Sequence, residues 1–256
     1  MVNKEDIELI FNTVLNKEYE YKSHQHLTIR NSKVIGALDK FAESTQNRKT
    51  EKGVLIDANG NEVYSKNGGK ASVEFTCNFR DLYEKYGELH MEHNHPSVDK
   101  DPRFIECLSV EDMLNLPMTV NQADGRGGLW EEYCLKSITA EGANGTRMTL
   151  VRGDYYTDDN HKTFVDAVHE LNKIHDDYMY NKYSKTQQRI LDKLVSESRQ
   201  KNGNEKTLER IDDLYEQSTS EALKEIGTFE SSKEFKDVQK KFREANCKLI
   251  ISRWKD

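Results

Sequence analysis

The spacing of the apolar residues changes once along this chain, and that change restricts its fold more than any other feature. Between residues 53 and 152 apolar side chains come in short runs of strand length broken by turns that carry Asn and Gly. From about Asn160 they recur every third or fourth residue. A period of two lines one face of a strand, and a period of 3.6 lines one face of a helix. Strands gathered in one stretch and helices in another predict an α+β chain.

Ile7, Ile10, Phe11, Val14 and Leu15 share one helix face, predicting a helix that packs on the domain after it. Val34, Ile35, Leu38 and Phe41 form a second such set, which leads into the polar boundary Ser44–Lys49. Gly53–Asp57 reads as a strand, Ala58–Asn61 as an Asn-Gly turn and Glu62–Tyr64 as the returning strand of a hairpin. Ala71–Cys77 alternates and predicts another strand, and Asp81–Tyr86 predicts a short helix. Glu88–His95 predicts a strand with Leu89, Met91, His93 and His95 on one face, ended by Pro96, which has no amide proton for a ladder. Ser97–Leu108 reads as a loop containing Pro102, and Ser109–Leu116 as a short helix stopped by Pro117. Val120, Tyr133–Ile138 and Thr146–Arg152 predict strands joined by the turns Gly125–Gly128 and Gly142–Gly145. The helical stripes are Phe164, Val168, Leu171 and Tyr178, then Ile190, Leu191, Leu194 and Val195, then Leu208, Ile211, Leu214 and Tyr215. Ser231 with Glu234 fits a capping box opening a last helix that carries Phe235, Val238 and Phe242. The expected organisation is an N-terminal helical segment over 1–48, a core over 49–157 and an α-helical C-terminal region over 158–256.

Composition bounds the function. Only 35% of the 256 residues are apolar against 32% charged, which suits slender helices with narrow buried stripes. No window approaches ~18 consecutive apolar residues, so no membrane span is expected. A net charge of -7 offers no general field for nucleic acid or anionic lipid. The first residues carry acidic side chains and lack a long apolar stretch, so the sequence predicts no signal peptide and a cytoplasmic protein. Cys77, Cys107, Cys134 and Cys247 are scattered without a CxxC pair, as reduced structural thiols would be.

The stretch that carries chemistry is His93-Asn94-His95-Pro96 followed by Ser109-Val110-Glu111-Asp112. Histidines at i and i+2 of a strand project from the same face, where both imidazoles can reach one metal ion. Asp112, three residues after an N-cap serine, falls in the first turn of a helix and can point its carboxylate back at the strand end. Two histidines and one aspartate leave the fourth tetrahedral position to water, the arrangement of a catalytic zinc site.

These residues resemble the JAB/MPN metallopeptidases, whose JAMM motif joins an upstream glutamate to HxHP and SxxD. The HNHPS spelling with Asp99 looks most like the RadC-like and phage- or toxin-associated branch. The resemblance covers roughly residues 51–152, and Ser97–Leu108 is a longer insert than the family places between the two halves of its motif. It implies a JAB/MPN-like mixed β-sheet core with flanking helices. It also implies Zn2+ held by His93, His95 and Asp112, with Glu51 as general base and Glu43 as the second choice. Ser109 would donate a hydrogen bond to the tetrahedral oxyanion. The implied activity is hydrolysis of an amide bond in a peptide or protein-conjugate substrate.

Other residues are read as structural. His24 and His26 have the HxH spacing with no Pro or SxxD after them, and His90 stands either as outer support for the site or on the opposite face. His161, His169 and His175 lack ligand spacing, and Gly125–Gly128 lacks the Lys-Ser/Thr of a phosphate loop. Two further functions stand beside the hydrolase: a binding module whose helical C-terminal region engages a protein partner, and a RadC-like role on nucleic acid, which the acidic charge disfavours.

Overall fold

Helix α1 (Ser32–Thr45) starts where the Asn31 side chain accepts the Lys33 amide, satisfying one of the free donors at a helix start. Its stripe of Val34, Leu38 and Phe41 packs against Val54 and Ile56 of β1 (Lys52–Asp57). The structure, a computed structural model, describes residues 31–96, 108–123, 129–154 and 156–253. The expected helix over Ile7–Leu15, His24 and His26, the Ser97–Leu108 loop up to Cys107, and Gly125–Gly128 lie outside the described residues.

The predicted hairpin forms, with β2 (Glu62–Asn67) antiparallel to β1. Its turn is held by the Asp57 carboxylate, which accepts the amides of Asn59 at 2.8 Å and Asn61 at 2.9 Å. Gly60 sits at φ +79°, and a Cβ there would lie 2.4 Å from the Lys33 carbonyl oxygen. Gly60→Ala is therefore expected to cost roughly 1–3 kcal/mol, read as a lower denaturation midpoint. An unchanged midpoint would show that the turn and α1 are not packed this closely.

With β3 (Leu89–His95), β6 (Leu135–Gly142), β7 (Thr146–Arg152) and β8 (Cys247–Arg253), one six-stranded mixed sheet runs in the order β2-β1-β3-β6-β7-β8, β3 being parallel to β6 and all other pairs antiparallel. Strand β7 (Thr146–Arg152) has the predicted bounds. With its helices this is an α+β architecture. The predicted strand Tyr133–Ile138 divides at Cys134. Residues before it belong to β5 (Leu129–Tyr133), paired with β4 (Thr119–Ala123), and those after it to β6. Cys134 itself bonds through its amide to Met118 and through its carbonyl to Leu89, so it serves both ladders.

Several sequence expectations are corrected. Ala71–Cys77 is not a strand. The chain doubles back at Gly68–Gly69 and crosses the face of the sheet, laying Val73 and Phe75 on Gly53, whose absent Cβ would lie 2.4 Å from Phe75 Cζ. A segment lying on a sheet can alternate in burial, as this one does, and still have no ladder partner. Secondly, the C-terminal region is not helical to its end: β8 (Cys247–Arg253) returns to pair with β7 along its whole length. Asn246, at φ +54°, turns the chain out of the preceding helix. Thirdly, the cap of that helix, α8 (Lys233–Glu244), is Ser232, whose hydroxyl accepts the Phe235 amide; Ser231 bonds back to Thr228 instead.

The remaining helices are α2 (Phe79–Tyr86), α3 (Val110–Leu114), α4 (Asp158–Asp176), α5 (Ser184–Asn202), α6 (Asn204–Leu208) and α7 (Ile211–Ile226), with a π-helical turn over Asp177–Tyr183. Two compact units emerge. One takes in the described residues up to Val168 with Gln239–Arg253, and the other is His169–Val238. In the first, Phe164 meets Phe242 and Tyr156 edge-on. In the second, α5 faces α7 through a polar seam in which Tyr183 and Gln187 both donate to the Thr219 hydroxyl. The predicted stripe Leu208, Ile211, Leu214 and Tyr215 is not one face, because the chain breaks between α6 and α7: Leu214 is buried and the other three are exposed. Among the described residues no helix is long and apolar enough to cross a membrane.

Pairing sorts the sheet residues. Gly53, Leu55, Met91, His93, Ile138, Ala140, Met148 and Leu150 share one face; Val54, Ile56, His90, Glu92, Asn94, Ser137, Thr139, Glu141, Arg147 and Thr149 share the other. The second face is polar yet buried, so its groups need partners. Thr139 bonds Thr149, and Arg147 joins Glu141 to Asp39 of α1. His90 bonds the Ser137 hydroxyl at 2.8 Å. Burial, then the Lys136 charge, pushes the His90 pKa down to about 4. Its stabilising contribution is thus complete above the unfolded value near ~6.5 and is lost as pH falls towards 4, about 3 kcal/mol in all. His90→Gln is expected to flatten the fall in denaturation midpoint between pH 7 and pH 4.5. An identical slope in the variant would assign the pH dependence elsewhere.

Candidate metal centre

Strand β3 delivers His93 and His95 to one face of the sheet by simple alternation. Helix α3 delivers the third group. Its Ser109 hydroxyl accepts the Asp112 amide at 3.0 Å, and the Ser109 amide donates to Asp112 Oδ2 at 2.9 Å, a reciprocal capping box that fixes the aspartate in the first turn. Asp112 Oδ2 lies 3.3 Å from His93 Nε2, which lies 2.9 Å from His95 Nε2. One donor atom from each residue falls within 4.8 Å of the others, and the group can hold a metal ion. Ligand atoms at ~2.0–2.1 Å from a tetrahedral ion stand roughly 3.3 Å apart, which the His93–Asp112 pair matches and the His93–His95 pair would reach by spreading a few tenths of an ångström.

Burial works against ionising Asp112. The hydrogen bond and charge of His93, then the Ser109 hydroxyl and amide, nonetheless hold its carboxyl well below the usual carboxylate range. It therefore stays an anion, as a metal ligand must. The Ser109 oxygen is used as an acceptor in the cap, and the residue lines the cleft.

Glu51 reaches the same cleft from the start of β1 and is buried. Its amide donates to Gly69 at 2.8 Å and its carbonyl accepts from Gly68 at 2.9 Å. Gly68 is required there, since a Cβ would lie 2.3 Å from the Ser72 carbonyl oxygen. Burial raises the Glu51 pKa, His93 and His95 oppose that rise, and the Asp112 charge adds to it. Glu43, the second choice for a base, is exposed on α1 and does not line this cleft.

The cleft has a volume of about 640 Å³ and brings together Glu51, His93, His95, Ser109 and Asp112. All five residues singled out in the sequence meet in it. Its remaining wall comes from the segment that crosses the sheet, through Val73, Glu74 and Phe75, with Phe79, Met91 and Met118 beside them. Nothing in the sequence alone assigns this wall to the site. Its signal was the alternation of Val73 and Phe75, read there as a strand.

The other histidines stand apart in their contacts. His90 is buried on the opposite face, His161 bonds the Tyr156 hydroxyl at 3.3 Å, and His175 packs edge-on against Phe229. Cys77, Cys134 and Cys247 are free thiols, the last two buried. Comparison with protein-family models, with curated proteins and with solved structures finds no match to this chain.

Proposed function

We propose that the chain is a zinc-dependent hydrolase of amide bonds, a peptidase or isopeptidase of the JAB/MPN kind. The observation that carries this reading is the convergence of two imidazole nitrogens and one anionic carboxylate beside a buried glutamate and a serine hydroxyl, all in one cleft. A donor set of two nitrogens and one oxygen suits zinc at a site with an open position. When bound, the ion supplies Lewis acidity, bringing the pKa of a coordinated water towards ~7 and polarising the scissile carbonyl.

The chain's own residues do the rest. Glu51, with its proton affinity raised by burial, takes the proton from the attacking water and passes it to the leaving amine. Ser109, fixed by its cap to Asp112, donates its hydroxyl proton to the oxyanion that develops at the carbonyl. Asp112 would hold the ion and also completes the capping box, so helix start and metal site would form together. The apolar wall of Val73, Phe75 and Phe79 favours an extended peptide or the tail of a protein conjugate as substrate.

The deciding experiment is elemental analysis of purified wild type beside His95→Ala, joined to hydrolysis of a fluorogenic peptide library by wild type and Glu51→Gln. Stoichiometric metal lost with His95, and hydrolysis lost with Glu51, support the reading. A wild type that takes up no divalent metal sinks it.

A further inference from the structure

The residue between the two histidines points away from the metal centre, yet its side chain is tied to the glutamate's own stretch of backbone. Main-chain pairing of β1 with β3 ends at the rung Gly53–His93. Beyond that rung the Asn94 side chain takes over: its Oδ1 accepts the Lys52 amide at 2.7 Å, and its Nδ2 donates to the Thr50 carbonyl at 3.4 Å. These are the peptide groups on either side of Glu51. Glu51's own amide and carbonyl are bonded on the opposite side, to Gly69 and Gly68. Four hydrogen bonds thus fix residues 50–52.

We propose that Asn94 is a positioning residue for Glu51: its buried carboxamide extends the β1–β3 ladder by one rung and sets the direction in which the glutamate leaves the backbone. The inference rests on Glu51 acting as the base. Asparagine suits the task because a short planar amide offers one acceptor and one donor side by side. The two partners, an N–H and a C=O, also fix which way the amide faces. Asn94 is only 2% exposed, so neither bond is replaced by water when the side chain is removed. The same strand therefore carries the histidines on one face and the support for the base on the other. Metal ligands and base are held in register by one element.

The test is backbone hydrogen exchange together with Co2+ binding and hydrolysis of a fluorogenic peptide library. In Asn94→Ala the Lys52 amide is expected to exchange at least ~10-fold faster, in line with loss of one buried hydrogen bond, while the His93 amide keeps its protection. The Co2+ dissociation constant stays within about 3-fold of wild type, because no ligand is touched. The kcat falls roughly 10–100-fold, the loss typical of a supporting partner, with KM unchanged. In a Glu51→Gln background the same substitution is expected to cause no further loss. Asn94→Asp, which keeps the acceptor, retains Lys52 protection. Unaltered Lys52 exchange in Asn94→Ala, or losses that multiply in the double variant, would overturn the proposal. If Glu51→Gln hydrolyses as fast as wild type, the hydrolase reading falls, and Lys52 exchange still decides whether Asn94 fixes this stretch of backbone.

Discussion

Glu51→Gln is expected to lower hydrolysis roughly 10²–10⁴-fold, the usual contribution of a general base, while metal content stays at the wild-type level. The substitution preserves the shape of the side chain and removes only its capacity to take a proton. Glu51 is not among the three groups that could hold a metal ion, so binding is not expected to change. Stability should hold or rise, since burial already penalises the charged form of this carboxylate. Glu43→Gln is the matched control: the same chemical change on an exposed helix position, with no effect on rate. Rates measured under saturating substrate, with metal analysis of the same samples, check the result. Equal losses in both variants would remove Glu51 from its role.

His95→Ala is expected to abolish stoichiometric metal binding, raising the dissociation constant by more than the ~10–100-fold typical of an outer-shell partner. Among the described residues three protein donors converge, and loss of one imidazole leaves His93 and Asp112 of that set. His95 is the best of the three to replace. His93 is buried, and Asp112 also accepts the Ser109 amide, so removing it would cost the helix the reciprocal half of its capping box. His95 stands half-buried at the end of its strand, where a small cavity is tolerated. Competition with a chromophoric chelator gives the constants, and far-UV circular dichroism checks that the fold is kept. Metal retained at wild-type stoichiometry would place the ion elsewhere.

The legible part of the site was its local part. His93 and His95 share a face because strand side chains alternate, and Asp112 falls in a first turn because Ser109 caps it; neither requires knowledge of another element. Glu51 was different. Of the upstream glutamates Glu51 and Glu43 are the candidates, and the choice between them depends on β1 lying antiparallel to β3 with Gly53 opposite His93. Alternation alone puts Asn94 on the face opposite His93 and His95, but its bonds to Thr50 and Lys52 span more than forty residues. The errors have the same origin. Val73 and Phe75 alternate as a strand does, yet a ladder needs a neighbour and theirs is Gly53 beneath them. Cys247–Arg253 carries the run Leu249-Ile250-Ile251, a strand signal in itself, and becomes a strand because β7 offers an open edge.

The sequence by itself determined the periodic segments, the turns, the pair of histidines and the helix cap, because each follows from hydrogen bonding and side-chain direction within a few residues. Tertiary structure alone decided which glutamate reaches the histidines, which strand closes the sheet and which segment walls the cleft. Those are pairings between distant stretches of chain, selected by the burial that they achieve together, and no local pattern encodes the partner.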